Sequence, residues 1–197
     1  MAFIYGKNIL GRMIQEMMDY NHIEFQGFLD DSIKKVQIWK GFMVYPIHKL
    51  KKADQVILAF EDNKTRKKMS RKIKAQILPI KGPRSHISSY VHIGTGTILM
   101  PGTLVNSHTE IGKQCILDDN SSVDHDCTLG DFVYIGQGST ICGNVRIGSG
   151  TFIGPACTIL PDIEIGKNVI IKPGTLVNRN FPDNSIISGH PARAKKK

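Results

Sequence analysis

IGKQCILDDNSSVDHDCTL, residues 111–129, carries an aliphatic residue at every sixth position: Ile111, Leu117, Val123 and Leu129. Counting outward from this stretch gives Ile87, Ile93, Leu99 and Val105 before it. After it come Ile135, Ile141, Ile147, Ile153, Ile159, Ile165, Ile171 and Val177. A period of six fits neither the 3.6 of a helix nor the 2 of a strand, so the unit is a short strand plus a corner. Three units close one coil of eighteen residues, and the run from Ile87 to about Pro182 holds about five coils. Equivalent aliphatics then stack from coil to coil and fill a narrow core. Small or β-branched residues such as Thr97, Cys115, Ser121 and Cys127 recur four positions after the aliphatics. Glycine directly follows many of them (Gly94, Gly112, Gly130), where it is expected to relieve the corner by adopting a conformation that a Cβ makes costly. The spacing leaves the handedness of the coil open.

Residues 1–81 have a different grain. Ala2 to Tyr5 is a short apolar strand, and a helix is predicted from Leu10 to about Tyr20 with Leu10, Met13, Ile14, Met17 and Met18 on its apolar side. Ile23 to Leu29 reads as the next strand, ended by Asp30-Asp31. Strand, glycine turn, helix, strand and acidic end follow the order of half a nucleotide-binding fold, without G-x-G-x-x-G or a P-loop. A basic connection containing Trp39 and Pro46 leads to a strand from Gln55 to Phe60. A helix from about Lys64 to Lys74 and a strand from Gln76 to Ile80 complete the unit. Lys81-Gly82-Pro83-Arg84 punctuates the change of period. The expected organisation is an α/β domain over 1–81, a β-helix over 82–182 and a basic tail over 183–197.

The 197 residues carry a formal charge of +9. The excess lies in Lys34–Lys52, Lys64–Lys74 and Arg193–Lys197 without interleaved aromatics or a recognition motif, so no nucleic-acid partner is expected. A solvated basic face, or ligands that carry phosphates, accounts for it better. No run approaches the roughly 18 apolar residues of a membrane span, and the first residues lack the order of a signal peptide. The reading is therefore a cytoplasmic protein with no membrane partner. Cys115, Cys127, Cys142 and Cys157 never stand a multiple of eighteen apart, which makes them small fillers of the repeat rather than a disulfide framework or a metal site.

Among seven histidines, His125 stands out. Val123 and Cys127 occupy inward positions, so His125 lies at a corner and points outward, with Asp124 and Asp126 on either side in sequence. A carboxylate partner raises imidazole basicity and sets its tautomer, as a general base near neutral pH requires. One coil beyond His125 is Gly143, whose bare backbone N–H is suited to receive an oxyanion. One coil before Asp126 is His108, either a partner of Asp126 or a surface residue. His22, His48, His86, His92 and His190 lack flanking carboxylates of this kind.

Residues 120–132 (NSSVDHDCTLGDF), 142–148 (CGNVRIG) and 188–193 (SGHPAR) resemble bacterial sugar acetyltransferases of the UDP-bacillosamine N-acetyltransferase and sialic acid O-acetyltransferase family. Phe28-Leu-Asp-Asp31, Asp62-Asn63 and Arg66 fit the same family. The resemblance implies a left-handed parallel β-helix and a homotrimer with active sites between adjacent subunits. It implies acetyl-CoA-dependent acetylation of the amino group of a UDP- or dTDP-linked amino sugar, with sugar O-acetylation and a non-catalytic scaffold as the alternatives. It places the catalytic histidine on His125 and its acidic support on Asp126. Acetyl-CoA is expected along Tyr134, Gly143, Pro155 and the Lys172-Pro173-Gly174 corner, and the nucleotide sugar near Gly6, Lys7, Asn8, Asp30, Asp31, Asn63 and Arg66. The chain departs from the family in its first turn, in Glu61 where relatives often have glycine, and in Tyr134, which replaces a common histidine.

Overall fold

The structure, a computed structural model, describes residues 2–194. It divides into two compact units, with the boundary in the chain between Ile80 and Lys81. Lys195–Lys197 of the basic tail lie outside the described residues. Among the described residues, no helix is long and apolar enough to cross a membrane.

The first unit contains β1 (Ala2–Tyr5), α1 (Ile9–Tyr20), β2 (Phe25–Asp30), β3 (Gln37–Trp39), β4 (Phe42–Pro46), β5 (Gln55–Leu58), α2 (Asn63–Ser70) and β6 (Gln76–Ile77). They build one sheet in the order β3-β4-β2-β1-β5-β6, parallel except for the β3–β4 hairpin. Buried runs such as Ala2–Tyr5 and Val56–Leu58 are what a parallel sheet covered on both faces demands. α1 starts at Asn8, whose side chain accepts from the Gly11 N–H at 2.8 Å, satisfying one of the free amides of the first turn. Leu10, Ile14, Met17 and Met18 are its buried side.

The stretch read as a plain basic connection instead forms β3 and β4. Trp39 and Phe42 pack edge-on against Phe28, at 5.4 and 5.8 Å between ring centroids, and Val44 is fully buried. Strands this short, split by the Lys40-Gly41 turn, leave no period to read. α2 ends at Ser70 rather than near Lys74, because Lys72 and Ile73 bond back in tight turns to Met69 and Ser70.

The second unit is the β-helix that the six-residue period demands. Its three faces carry eight, six and five strands, each repeat strand pairing in parallel with the one eighteen residues on, as Val105 with Val123 and Val123 with Ile141. The coil count is modestly above the five expected. The eight-strand face starts at Ile80–Lys81, and past Pro182 Ile186–Ser188 pairs with Ile170–Ile171 before Arg193–Ala194 closes antiparallel on it. The aliphatics at period six form one continuous core, each worth about 1.5–3 kcal/mol of burial.

Many of the small inward residues also bond. Thr97, Thr109, Ser139 and Thr151 donate to the carbonyl fifteen residues ahead, and Cys115, Cys127 and Cys157 do the same through Sγ at 3.1–3.2 Å. These three cysteines are buried, so the repeat takes thiol and hydroxyl alike, and it takes Val133, Val145 and Val169 at the equivalent position without any donor. The glycines that follow the aliphatics are not in the left-handed region. A Cβ on Gly94 would stand 2.5 Å from the Gly112 carbonyl carbon, so close approach of successive coils excludes a side chain there. Positive φ falls two residues later, at Gly96 and Gly102 but equally at His108 and Asp126.

Candidate active site

Ser122–Val123 and Thr128–Leu129 lie on two different faces of the helix, and the corner between them carries Asp124, His125 and Asp126. Val123 and Cys127 are buried as anchors, which forces His125 outward, with 58 % of its side chain exposed. Asp126, at φ 57°, takes the left-handed conformation that aspartate tolerates better than most residues. This turns its Oδ2 onto the His125 Nδ1 at 2.7 Å. An ionised carboxylate only accepts, so Nδ1 carries the proton and the Nε2 lone pair stays open. The hydrogen bond to Asp126, followed by the negative charge of Asp124, raises the His125 pKa above its ordinary value.

Asp124 plays a different part. Its Oδ1 accepts from the His125 backbone N–H at 2.9 Å and from Asn106 Nδ2 at 2.8 Å, and these bonds, Asn106 first, hold its carboxyl below the usual range. Asn106, one coil earlier, went unread in the sequence, although the eighteen-residue period places it directly beneath Asp124. His108 does not reach Asp126. It stacks on Tyr90, with ring centroids 5.3 Å apart and 27° between planes.

Gly143 lies under the imidazole. A Cβ there would stand 2.8 Å from both Cε1 and Nε2 of His125, so the space that the missing side chain leaves is filled by the ring itself. Equivalent corner amides bond to the coil above: Lys113 to Asp131, Asp131 to Ser149 and Lys167 to Asp183. Among the described residues the Gly143 N–H has no such acceptor, because Pro161 follows one coil on.

Pro155, Lys172, Pro173 and Gly174 are exposed on a different corner, tied by the Gly174 N–H to Pro155 O bond of 3.0 Å. A single chain therefore does not bring them to His125. Tyr134 lies on the eight-strand face, stacked on Phe152 at 4.9 Å, and donates its hydroxyl to Asp118 Oδ2 at 2.6 Å. An open concavity of about 770 Å³ on the five-strand face is lined by Thr128, Arg146, Glu164 and Lys167. It is lined by neither His125 nor any residue expected to hold acetyl-CoA.

In the first unit Gly6, Lys7, Asn8, Asp30 and Asp31 gather where β1 and β2 end. Gly6, at φ 128°, meets Ala59 O so closely that a Cβ would clash at 2.6 Å, and Asn8 Nδ2 donates to the same oxygen at 2.7 Å. Lys7 Nζ pairs with Asp30 Oδ2 at 3.2 Å. Burial works to raise the Asp30 carboxyl, but Ser32 and Lys7 together hold it below its ordinary value. Arg66 corrects the sequence reading: it is fully buried and donates to the carbonyls of Phe60 and Glu61 and to Asn63 Oδ1 at 2.7–2.8 Å. It fastens the start of α2 and presents no guanidinium to a ligand. Arg66→Met is expected to cost about 1–3 kcal/mol of stability, because buried acceptors lose their partner. Urea unfolding measures this, and unaltered stability with weakened substrate binding would return Arg66 to the ligand.

The PglD N-terminal domain matches residues 2–73, and the bacterial transferase hexapeptide (six repeats) matches residues 108–143 and 144–179. The chain thus matches a PglD-type N-terminal domain followed by hexapeptide repeats. Three solved structures share this architecture over nearly the whole chain. PerB from Caulobacter crescentus, in complex with CoA and GDP-perosamine, is 25 % identical over 99 % of this chain and 97 % of its own, with a TM-score of 0.92. WeeI from Acinetobacter baumannii AYE is 25 % identical over 99 % of both chains, with a TM-score of 0.82. The acetyltransferase domain of PglB from Neisseria gonorrhoeae FA1090, in complex with acetyl coenzyme A, is 24 % identical over 98 % of both, with a TM-score of 0.91, a likeness of fold. No curated protein sequence matches the chain.

Proposed function

We propose that this hexapeptide-repeat protein is an acetyl-CoA-dependent N-acetyltransferase acting on the amino group of a nucleotide-linked amino sugar in the cytoplasm. The observation that carries the reading is the His125–Asp126 pair held over Gly143, a base and a free amide donor at one corner. The complexes of PerB with GDP-perosamine and of the PglB domain with acetyl coenzyme A support the two substrate classes.

Acetyl-CoA supplies an acyl group already activated as a thioester. His125 Nε2 accepts the proton that the sugar amine loses as its nitrogen bonds to the acyl carbon. Asp126 steadies the resulting imidazolium, and the Gly143 N–H meets the charge that develops on the acyl oxygen. His125 then returns the proton to the departing thiolate as the C–S bond breaks. Pro155, Lys172, Pro173 and Gly174 would hold the rest of acetyl-CoA, and they stand on another corner of the same chain. A homotrimer in which one subunit's His125 faces another's Lys172 corner brings them together. Gly6, Lys7, Asn8, Asp30 and Asp31 remain the proposed contacts for the nucleotide sugar.

A thiol-release assay with acetyl-CoA against UDP-, GDP- and dTDP-linked amino sugars and free sialic acids tests the reading. Release only with an amino sugar supports it; release only with sialic acids replaces it with O-acetylation. The pH profile is a second test. The active base is neutral, so turnover falls as pH drops through the raised His125 pKa. Asp126→Asn removes the largest cause of that rise, so the acid limb should move to lower pH as maximal turnover falls. An unmoved limb would take Asp126 out of this role.

A further inference from the structure

We infer that Tyr90 and His108 form a stacking platform for the pyranose ring of the acceptor sugar. The inference rests on the acyl-transfer reading above and adds to it which residues recognise the acceptor. Eighteen residues separate Tyr90 from His108 and another eighteen separate His108 from Asp126, so all three stand in one column on one corner. Successive strands of a sheet lie about 4.8 Å apart, which puts the imidazole of His108 one rung, and the phenol of Tyr90 two rungs, from the proposed base.

Scattered apolar side chains on a surface are ordinary, but this pair is not scattered. Tyr90 is 70 % exposed, and its ring lies nearly parallel to that of His108 at 5.3 Å. The same corner is stiffened from coil to coil by Ser88 Oγ against Ser107 Oγ at 3.0 Å and by Asn106 on Asp124. An aromatic surface on a rigid edge, ending in a ring N–H, offers an apolar face for the C–H side of a pyranose and a donor for its hydroxyls.

Direction along the helix selects the acceptor rather than the acyl donor. The residues proposed for acetyl-CoA, from Gly143 to Lys172, belong to the His125 coil's successors, whereas Tyr90 and His108 belong to its predecessors. A base that removes a proton between two reactants needs one on each side, and the platform occupies the side left over.

Steady-state kinetics with acetyl-CoA and whichever nucleotide-linked amino sugar the intact protein accepts decides the matter. Tyr90→Ala should raise KM for the sugar about tenfold and leave KM for acetyl-CoA unchanged, while Tyr90→Phe keeps the ring and stays near the intact protein. Calorimetric titration of the same sugar without acetyl-CoA should show the same loss of affinity, and thermal unfolding should be unmoved because the side chain is exposed. An unaltered sugar KM in both Tyr90→Ala and His108→Ala, or a rise confined to acetyl-CoA, overturns the platform while the acetyltransferase reading stands. If the intact protein releases no thiol with any amino sugar, the reading itself fails and the platform goes with it.

Discussion

His125→Ala is expected to lower turnover by about 10²–10⁴-fold, the usual worth of a positioned general base. The loss should be purely chemical. The side chain is 58 % exposed and contributes nothing to the stacked aliphatic core, so circular dichroism, thermal unfolding and oligomeric state should match the intact protein. The backbone bond from the Asn144 N–H to His125 O, 3.0 Å, survives the substitution and keeps the coils in register. Thiol release measured at saturating acetyl-CoA reads the effect. Near-full turnover in a folded variant would remove His125 from catalysis and with it the mechanism built on the dyad.

Gly143→Ala should be nearly as damaging by a different route. The added methyl would stand 2.8 Å from Cε1 and Nε2 and 3.4 Å from Nδ1 of His125. Gly143 is not among the residues at positive φ, so alanine suits the backbone and only the imidazole has to move. It moves by turning away from its 2.7 Å bond to Asp126, and a base displaced by about 1 Å costs on the order of 10²-fold. The prediction is a loss of turnover of that size with stability nearly unchanged. In the His125→Ala background the same methyl should cost much less, since no ring remains to be displaced. Equal losses in both backgrounds would show that Gly143 acts through its own amide alone.

Different residues were legible to different degrees. His125, Asp126 and Gly143 could be placed on one corner from the sequence because a strict period converts position into geometry: residues eighteen apart must stack. The same rule reaches Asn106 under Asp124 and Tyr90 under His108, so the sequence carries the signal for both. Arg66 was different. Its motif pointed to a ligand, but the turn of Phe60 and Glu61 beside α2 buries it, and no periodicity in the first unit foretells burial. The β3–β4 hairpin was hidden for the same reason, since strands of three and five residues are too short for a pattern to show.

The amino-acid sequence alone determined that residues 87–177 coil with a period of eighteen, that aliphatics fill the inside, and that an imidazole flanked by carboxylates faces out. Only the tertiary structure decided that the imidazole lies on Gly143, that Asp126 rather than His108 or Asp124 is its side-chain partner, and that the residues expected to hold acetyl-CoA stand on another corner. Repetition dictates which residues share a column because each coil must place its backbone bonds on the last. It does not dictate how a side chain turns within its column. That depends on which neighbours leave room, and here the room is left by a missing Cβ.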